Sequence, residues 1–178
     1  MAVADQIKRK VELRKIEHSE GLSEETNCFA ADIFIDGKKV GDVKDDGRGG
    51  EMMVHPHTCL LELNKIGAAM GKCTVEWSKE PQDIDGNDII GKLLDEWLLT
   101  KDYKKLLRGN KITFIDKGEI YSLKAKPKDE AEKNRLIAAV RKETPGAIFF
   151  NELSEQDGLN KYLELSKQSI GWKFVKAE

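Results

Sequence analysis

An Asp36-Gly37 pair stands between two runs of strand-forming residues, and no other feature constrains the fold of this chain as much. Residues 28–35 (Cys-Phe-Ala-Ala-Asp-Ile-Phe-Ile) are rich in apolar, β-branched and aromatic types, and residues 38–43 carry Val40 and Val43. A two-residue turn between such runs needs positive φ at both positions, which Asp and Gly tolerate, so the segment predicts an antiparallel hairpin. Val11, Leu13 and Lys15 alternate with basic residues, the period-two pattern of a further half-exposed strand. Residues 51–54 are expected to resume an extended segment after the second hairpin strand.

Helical periodicity then takes over. Pro56 suits the first turn of a helix over 57–70 that carries Leu60, Leu61, Leu63, Ile66 and Met70 and stops at Gly71. Cys73 to Trp77 reads as a strand. Over 88–99, Ile89, Ile90, Leu93, Leu94, Trp97 and Leu98 form one apolar stripe, which places Trp97 against the core. A short basic helix from Tyr103 to Arg108 is expected next. Residues 111–115 and 119–123 flank Asp116-Lys117-Gly118 as a second hairpin. A charged helix over 128–143, a short interior strand at 147–150, a helix opened by Ser154 and Asp157 as a capping box, and an edge strand from Trp172 to Val175 complete the order. The fold class is therefore α+β: N-terminal antiparallel strands with a helix, then a β-hairpin followed by α-β-α. A β-rich N-terminal lobe over 1–78 and an α+β lobe over 79–178 are expected to share one compact unit, with the seam at 78–87.

Composition narrows the functional classes. The 178 residues include 30 basic and 32 acidic side chains, a net charge of −2, which argues against a dedicated polyanion binder. A chain of this mass buries about 70% of its unfolded surface on folding, enough for a core without staples. The three cysteines, Cys28, Cys59 and Cys73, are an odd number without a CxxC spacing, so a disulfide framework is not expected. No run approaches the length of a membrane span and no signal-peptide pattern opens the chain, so a reduced, cytoplasmic protein is expected. The charge is uneven: residues 17–51 hold ten acidic and four basic groups, whereas 101–128 hold nine basic and three acidic.

Several segments are candidates for chemistry. Asp45-Asp46-Gly47-Arg48-Gly49-Gly50 reads as a loop of low intrinsic rigidity. Its glycines let backbone N–H groups approach a ligand, and Arg48 offers a fork for phosphate or carboxylate. It matches neither the GxxxxGK[ST] nor the GxGxxG phosphate loop. His55, His57 and Cys59 bring three metal-ligand types into five residues, but a helix starting at Pro56 would make them diverge, so no metal is expected. Asp83 to Asp88 departs twice from a calcium loop and reads instead as an acidic turn capping the next helix. No GxSxG or activated cysteine points to nucleophilic catalysis, so no catalytic residue is assigned and no cofactor is expected. The stretch 101–128, with Lys104, Lys105 and Arg108 beside Tyr103, Phe114 and Tyr121, offers phosphate contacts and rings for stacking bases.

Two segments carry a resemblance. Phe29 to Gly50 is similar to a DGKxVGxVxxDGxGG segment, and Pro145 to Leu153 to a late PxAxxxNxL strand, both found in small uncharacterised proteins of bacteria, plasmids and phages. They span about 30 of the 178 residues. The resemblance implies an accessory protein that binds and modulates host machinery, including defence systems. The expected function is accordingly a non-catalytic binding protein of phage or plasmid type that docks on a host macromolecule, with a protein partner favoured. Its expected contact residues are Asp46, Gly47, Arg48, Gly49, Gly50, His55 and His57. The first alternative is a nucleotide-binding or phosphoester-processing protein that uses the Gly-Arg-Gly-Gly loop and nearby histidines. The second is a nucleic-acid binder working through Lys104, Lys105 and Arg108.

Overall fold

The structure, a computed structural model, describes residues 9–74, 80–109, 111–169 and 173–175. The chain divides into two compact units, one running to Asp95 and taking up the last strand, the other spanning Glu96–Gly171. The division falls inside a helix. The seam expected at 78–87 lies within the first unit, and its residues 78 and 79 fall outside the described residues.

The first unit is built on a four-stranded antiparallel meander in the order β1-β2-β3-β4, with β1 Val11–His18, β2 Phe29–Ile35, β3 Lys38–Asp45 and β4 Met53–His55. The β2–β3 turn has the expected backbone, with φ of 51° at Asp36 and 79° at Gly37. Alternation is strict along β2: Phe29, Ala31, Ile33 and Ile35 are buried and the residues between them half-buried. In β1 the alternation breaks at Lys15, whose φ of 51° marks a bulge where the register shifts between Arg14 and Glu17. The long Lys15 side chain reaches back to Asp32 at 3.1 Å.

Helix α1, His57–Met70, begins after Pro56 and ends at Gly71, whose φ of 103° is open to glycine. It packs on the buried face of the meander, since a Cβ on Gly41 would lie 3.0 Å from Cys59. Burying side chains such as Leu63 or Ile33, each 0% exposed, contributes about 1.5–3 kcal/mol apiece. A second sheet has the order β10-β5-β6, with β5 Lys72–Thr74, β6 Gln82–Asp83 and β10 Lys173–Val175. The expected strand residues 75–77 and Trp172 lie outside the described residues.

Helix α2 runs unbroken from Gly86 to Leu106, so the two helices expected over 88–99 and 103–108 are one. Nothing between them breaks a helix, and the Thr100 hydroxyl donates back to the Glu96 carbonyl at 2.7 Å. The helix starts with a reciprocal cap: the Asp88 N–H donates to Asp85 Oδ1 at 2.8 Å and the Asp85 N–H to Asp88 Oδ2 at 2.9 Å. The acidic turn is thus a helix start, and burial pushes the Asp88 carboxyl above its ordinary range. Ile90, Leu94 and Tyr103 are buried to 3% exposure or less, whereas Trp97 is only half-buried, with the Lys101 ammonium 5.3 Å from its ring centre. The expectation that Trp97 is a deep core residue is corrected accordingly.

The second unit holds a sheet in the order β8-β7-β9, with β7 Thr113–Asp116, β8 Glu119–Ser122 and β9 Ile148–Phe149. On one face Phe114 and Phe149 cluster with Ile112 and with Ile137 of α3, Glu130–Glu143. On the other, Ile115 and Phe150 cluster with Tyr103 of α2, with Leu159 and Tyr162 of α4, Glu155–Ser169, packed against them. The expected Ser154–Asp157 box is formed, the Asp157 N–H donating to Ser154 Oγ at 3.1 Å and the hydroxyl donating back at 2.6 Å. Among the described residues, no helix is long and apolar enough to cross a membrane.

Cys59 and Cys73 are buried free thiols, and burial raises the pKa of each, whereas Cys28 is half-buried. Access favours Cys28, while burial disfavours both exposure and thiolate formation at Cys59 and Cys73. With Ellman's reagent at neutral pH, one thiol (Cys28) is expected to react fast and two only as the protein opens. Melting curves with and without reductant and chelator are expected to coincide. Two or three fast-reacting thiols would overturn the packing assigned to Cys59 and Cys73.

Candidate functional site

A meander places alternate connections at the same end. The β1–β2 loop over 19–28 and the β3–β4 loop over 46–52 therefore meet, and hydrogen bonds lock them together. The Gly47 carbonyl accepts the backbone N–H groups of Glu24, Glu25 and Thr26, at 2.9, 2.9 and 3.2 Å. Asp45, 7% exposed, accepts at one carboxylate oxygen from the Thr26 hydroxyl and the Gly47 N–H, both at 2.8 Å. In the β1–β2 loop the Cys28 N–H donates to Ser23 Oγ at 2.9 Å, and that hydroxyl donates to the Ser19 carbonyl at 2.8 Å.

This corrects the reading of residues 45–50 as a loose loop. Gly47 is buried with φ of 82°, and a Cβ there would fall on the Leu22 carbonyl oxygen and 2.8 Å from Cys28 Cβ. Only glycine fits. Its N–H and carbonyl are both used by the frame, so they are not presented to a ligand. Neither aspartate pairs with the Arg48 guanidinium: Asp45 serves the frame, and Asp46 accepts the Arg48 backbone N–H at 3.1 Å in a tight turn. The guanidinium is exposed and makes no ion pair among the described residues.

Beside these locked loops lies a cavity of about 520 Å³. Phe29, Ala30 and Cys28 supply apolar wall, and Glu24, Lys44 and Arg48 stand on its charged side. A second cavity of about 380 Å³ runs along the open face of the meander and shares Glu17, Ala30 and Lys44 with the first, so the two form one trough. The sheet register explains the continuity. On the open face Glu17, Ala30, Lys44 and Met53 make one cross-strand row, and Asp32, Asp42 and His55 fall in the next.

Charges on the open face divide into two groups. Asp32 lies between Lys39 and Lys15, which hold its carboxyl below the usual aspartate range. Lys10 and Arg14 do the same for Glu12, and the Arg14 guanidinium also lies 4.1 Å over the Phe34 ring. By contrast Glu17, Glu24, Lys44 and Arg48 make no ion pair among the described residues. Leu22, on the lining of the first cavity, is 60% exposed, and Met53, on the lining of the second, is 50% exposed.

The expected contact residues separate on this geometry. Asp46 and Arg48 line the first cavity and His55 the second, while Gly47 belongs to the frame. Gly49 and Gly50 are exposed in the loop without lining either cavity, and His57 sits exposed in the first turn of α1. Cys59 turns inward to Gly41, so His55, His57 and Cys59 do not converge. Among the described residues no three His, Cys, Asp or Glu side chains are grouped to hold a metal ion. Sequence reasoning missed Glu17, Leu22, Glu24 and Lys44; the signal was topological, since a meander brings residues 19–28 to the Arg48 loop. In the second unit Lys104, Lys105 and Arg108 are exposed, but Tyr103 and Phe114 are core, which leaves Tyr121 as the accessible ring of the three.

Compared with known proteins, the chain matches no family model, no curated protein and no solved structure.

Proposed function

We propose that this chain is a binding protein that docks on a protein partner through the trough at the loop end of the meander. We further propose that it serves as an accessory protein of phage or plasmid type, modulating a host assembly such as a defence complex or nuclease. The trough supports this reading by its rigid frame, its unpaired charges of both signs, and an exposed apolar side chain on the lining of each cavity. Interfaces concentrate binding energy in apolar anchors ringed by polar groups, and Leu22 and Met53 with Glu17, Glu24, Lys44 and Arg48 have that composition. The pre-ordered loops lower the entropy lost on docking.

The test is retention of a stoichiometric protein from bacterial lysate on immobilised chain, combined with native mass spectrometry of the free protein. Arg48→Ala is expected to leave stability within about ±0.5 kcal/mol while weakening capture by more than about 1 kcal/mol. Arg48→Lys loses most of the same affinity, because a point charge does not reproduce the guanidinium fork. Leu22→Asp abolishes capture. A small-molecule adduct without a protein partner, or normal capture by all three variants, would refute the proposal.

A further inference from the structure

The second unit carries fifteen basic against twelve acidic side chains, a net charge of +3 within a chain whose total is −2. Nine of the fifteen cations lie in 101–128. Of these nine, Lys104 meets Glu155 at 4.0 Å and Lys101 lies over Trp97. The other seven make neither an ion pair nor a ring contact among the described residues. The basic groups at the start of the meander behave differently: Arg9, Lys10, Arg14 and Lys15 are all paired with carboxylates. Cations left unpaired in one stretch mark a surface suited to a polyanion.

Two features on this unit fit bases as well as phosphates. Lys105 and Lys111 flank a groove of about 420 Å³ with Leu106, Ile120 and Tyr162 as its apolar lining and Asp102 as its one acidic group. Ile120 belongs to the edge strand β8, and the next residue, Tyr121, projects from the opposite face of that strand. The Tyr121 ring stacks on Phe114 at 5.6 Å between centres and 22° between planes, and it is 43% exposed. One ring face is thus fixed on the core while the side chain stays open to solvent. Phe114 in turn packs on Phe149 at 5.4 Å, so Tyr121 is the outer member of a row of rings held by the core.

We infer that the β8 edge of this sheet is a single-stranded nucleic-acid interface, the bound strand crossing that edge so that Tyr121 stacks one base on one face while Lys105 and Lys111 contact the phosphate backbone on the other. Stacking on a pre-positioned ring needs an unpaired base, and lysine–phosphate contacts are indifferent to sequence, so the chemistry selects single strands over duplex without base readout. The Tyr121 hydroxyl donates to Glu119 at 2.6 Å and helps hold the ring, but the ring itself makes the contact.

Fluorescence anisotropy of a labelled oligothymidylate of about 15 nucleotides tests this, with a duplex of equal length as comparison. The single strand is expected to bind more tightly than the duplex. With the two lysine–phosphate contacts, raising salt from about 50 to about 200 mM lowers affinity about sevenfold. Tyr121→Ala is expected to weaken binding by about tenfold or more, as loss of one stacked base does, while Tyr121→Phe retains it. Lys105→Glu with Lys111→Glu weakens binding further and flattens the salt dependence. Thermal melts of each variant separate lost binding from lost fold. Equal affinity for duplex, or binding unchanged in Tyr121→Ala and in the double lysine variant, overturns the inference. The trough lies in the other unit, so Arg48→Ala leaves oligonucleotide binding unchanged and the two proposals stand or fall separately.

Discussion

Gly47→Ala is expected to destabilise the first unit by about 2–5 kcal/mol, the sum of placing an L side chain in left-handed backbone and overpacking a filled site. The added methyl would meet the Leu22 carbonyl and Cys28 Cβ, neither of which is the movable end of a long side chain. Relief would pull apart the three N–H groups gathered on the Gly47 carbonyl, so the 19–28 loop would loosen together with the 46–52 loop. For a protein of this size the melting temperature should fall on the order of 10 °C. Gly50→Ala is the control, since nothing lies within 4 Å of its added carbon, and it should stay within about ±0.5 kcal/mol. If Gly47→Ala melts like wild type, the locked frame assigned to these loops is wrong.

Phe149→Ala is expected to destabilise the second unit by about 3–5 kcal/mol, the usual effect of deleting a buried aromatic ring. Phe149 is 1% exposed, packs on Phe114, and carries the Arg141 guanidinium 5.2 Å over its ring centre. Little around it can collapse into the space, because Ile112 and Ile137 are already buried in the same cluster. Trp97→Ala removes a larger side chain at a smaller cost, since that ring is only half out of water. Denaturant titrations of the two variants decide the point, and an equal loss in both would place Trp97 in the core after all.

The features legible in the sequence were those decided by local backbone chemistry. Asp36-Gly37 and Lys117-Gly118 adopt the positive φ values that tight hairpin turns demand, and both hairpins form where those pairs stand. The Ser154–Asp157 box and the Pro56 helix start were readable for the same reason: a cap is written within four residues. What escaped was non-local. The role of Gly47 depends on N–H groups from 24–26, which no window around Gly47 contains. The trough residues Leu22 and Glu24 lie in a segment without periodicity and become neighbours of Arg48 only through the meander. Trp97 was misplaced because a stripe of apolar residues gives a direction around a helix axis but not the depth at each turn. The continuity of α2 was missed because Lys101 and Asp102 interrupt the apolar pattern without interrupting the backbone.

Strand β10 pairs with β5, placing Val175 opposite Lys72 although 103 positions of chain separate them. The whole of the second unit is threaded between those two partners. On a ribosome, the meander and α1 can therefore form early, but β5 must wait with one edge unpaired until residues 96–171 have been made. An open edge is a template for pairing with another chain, and contacts so distant in sequence are slow to close. The second unit therefore acts as a delay in assembly: how quickly it folds and draws its two ends together sets how long the nascent protein stays prone to self-association.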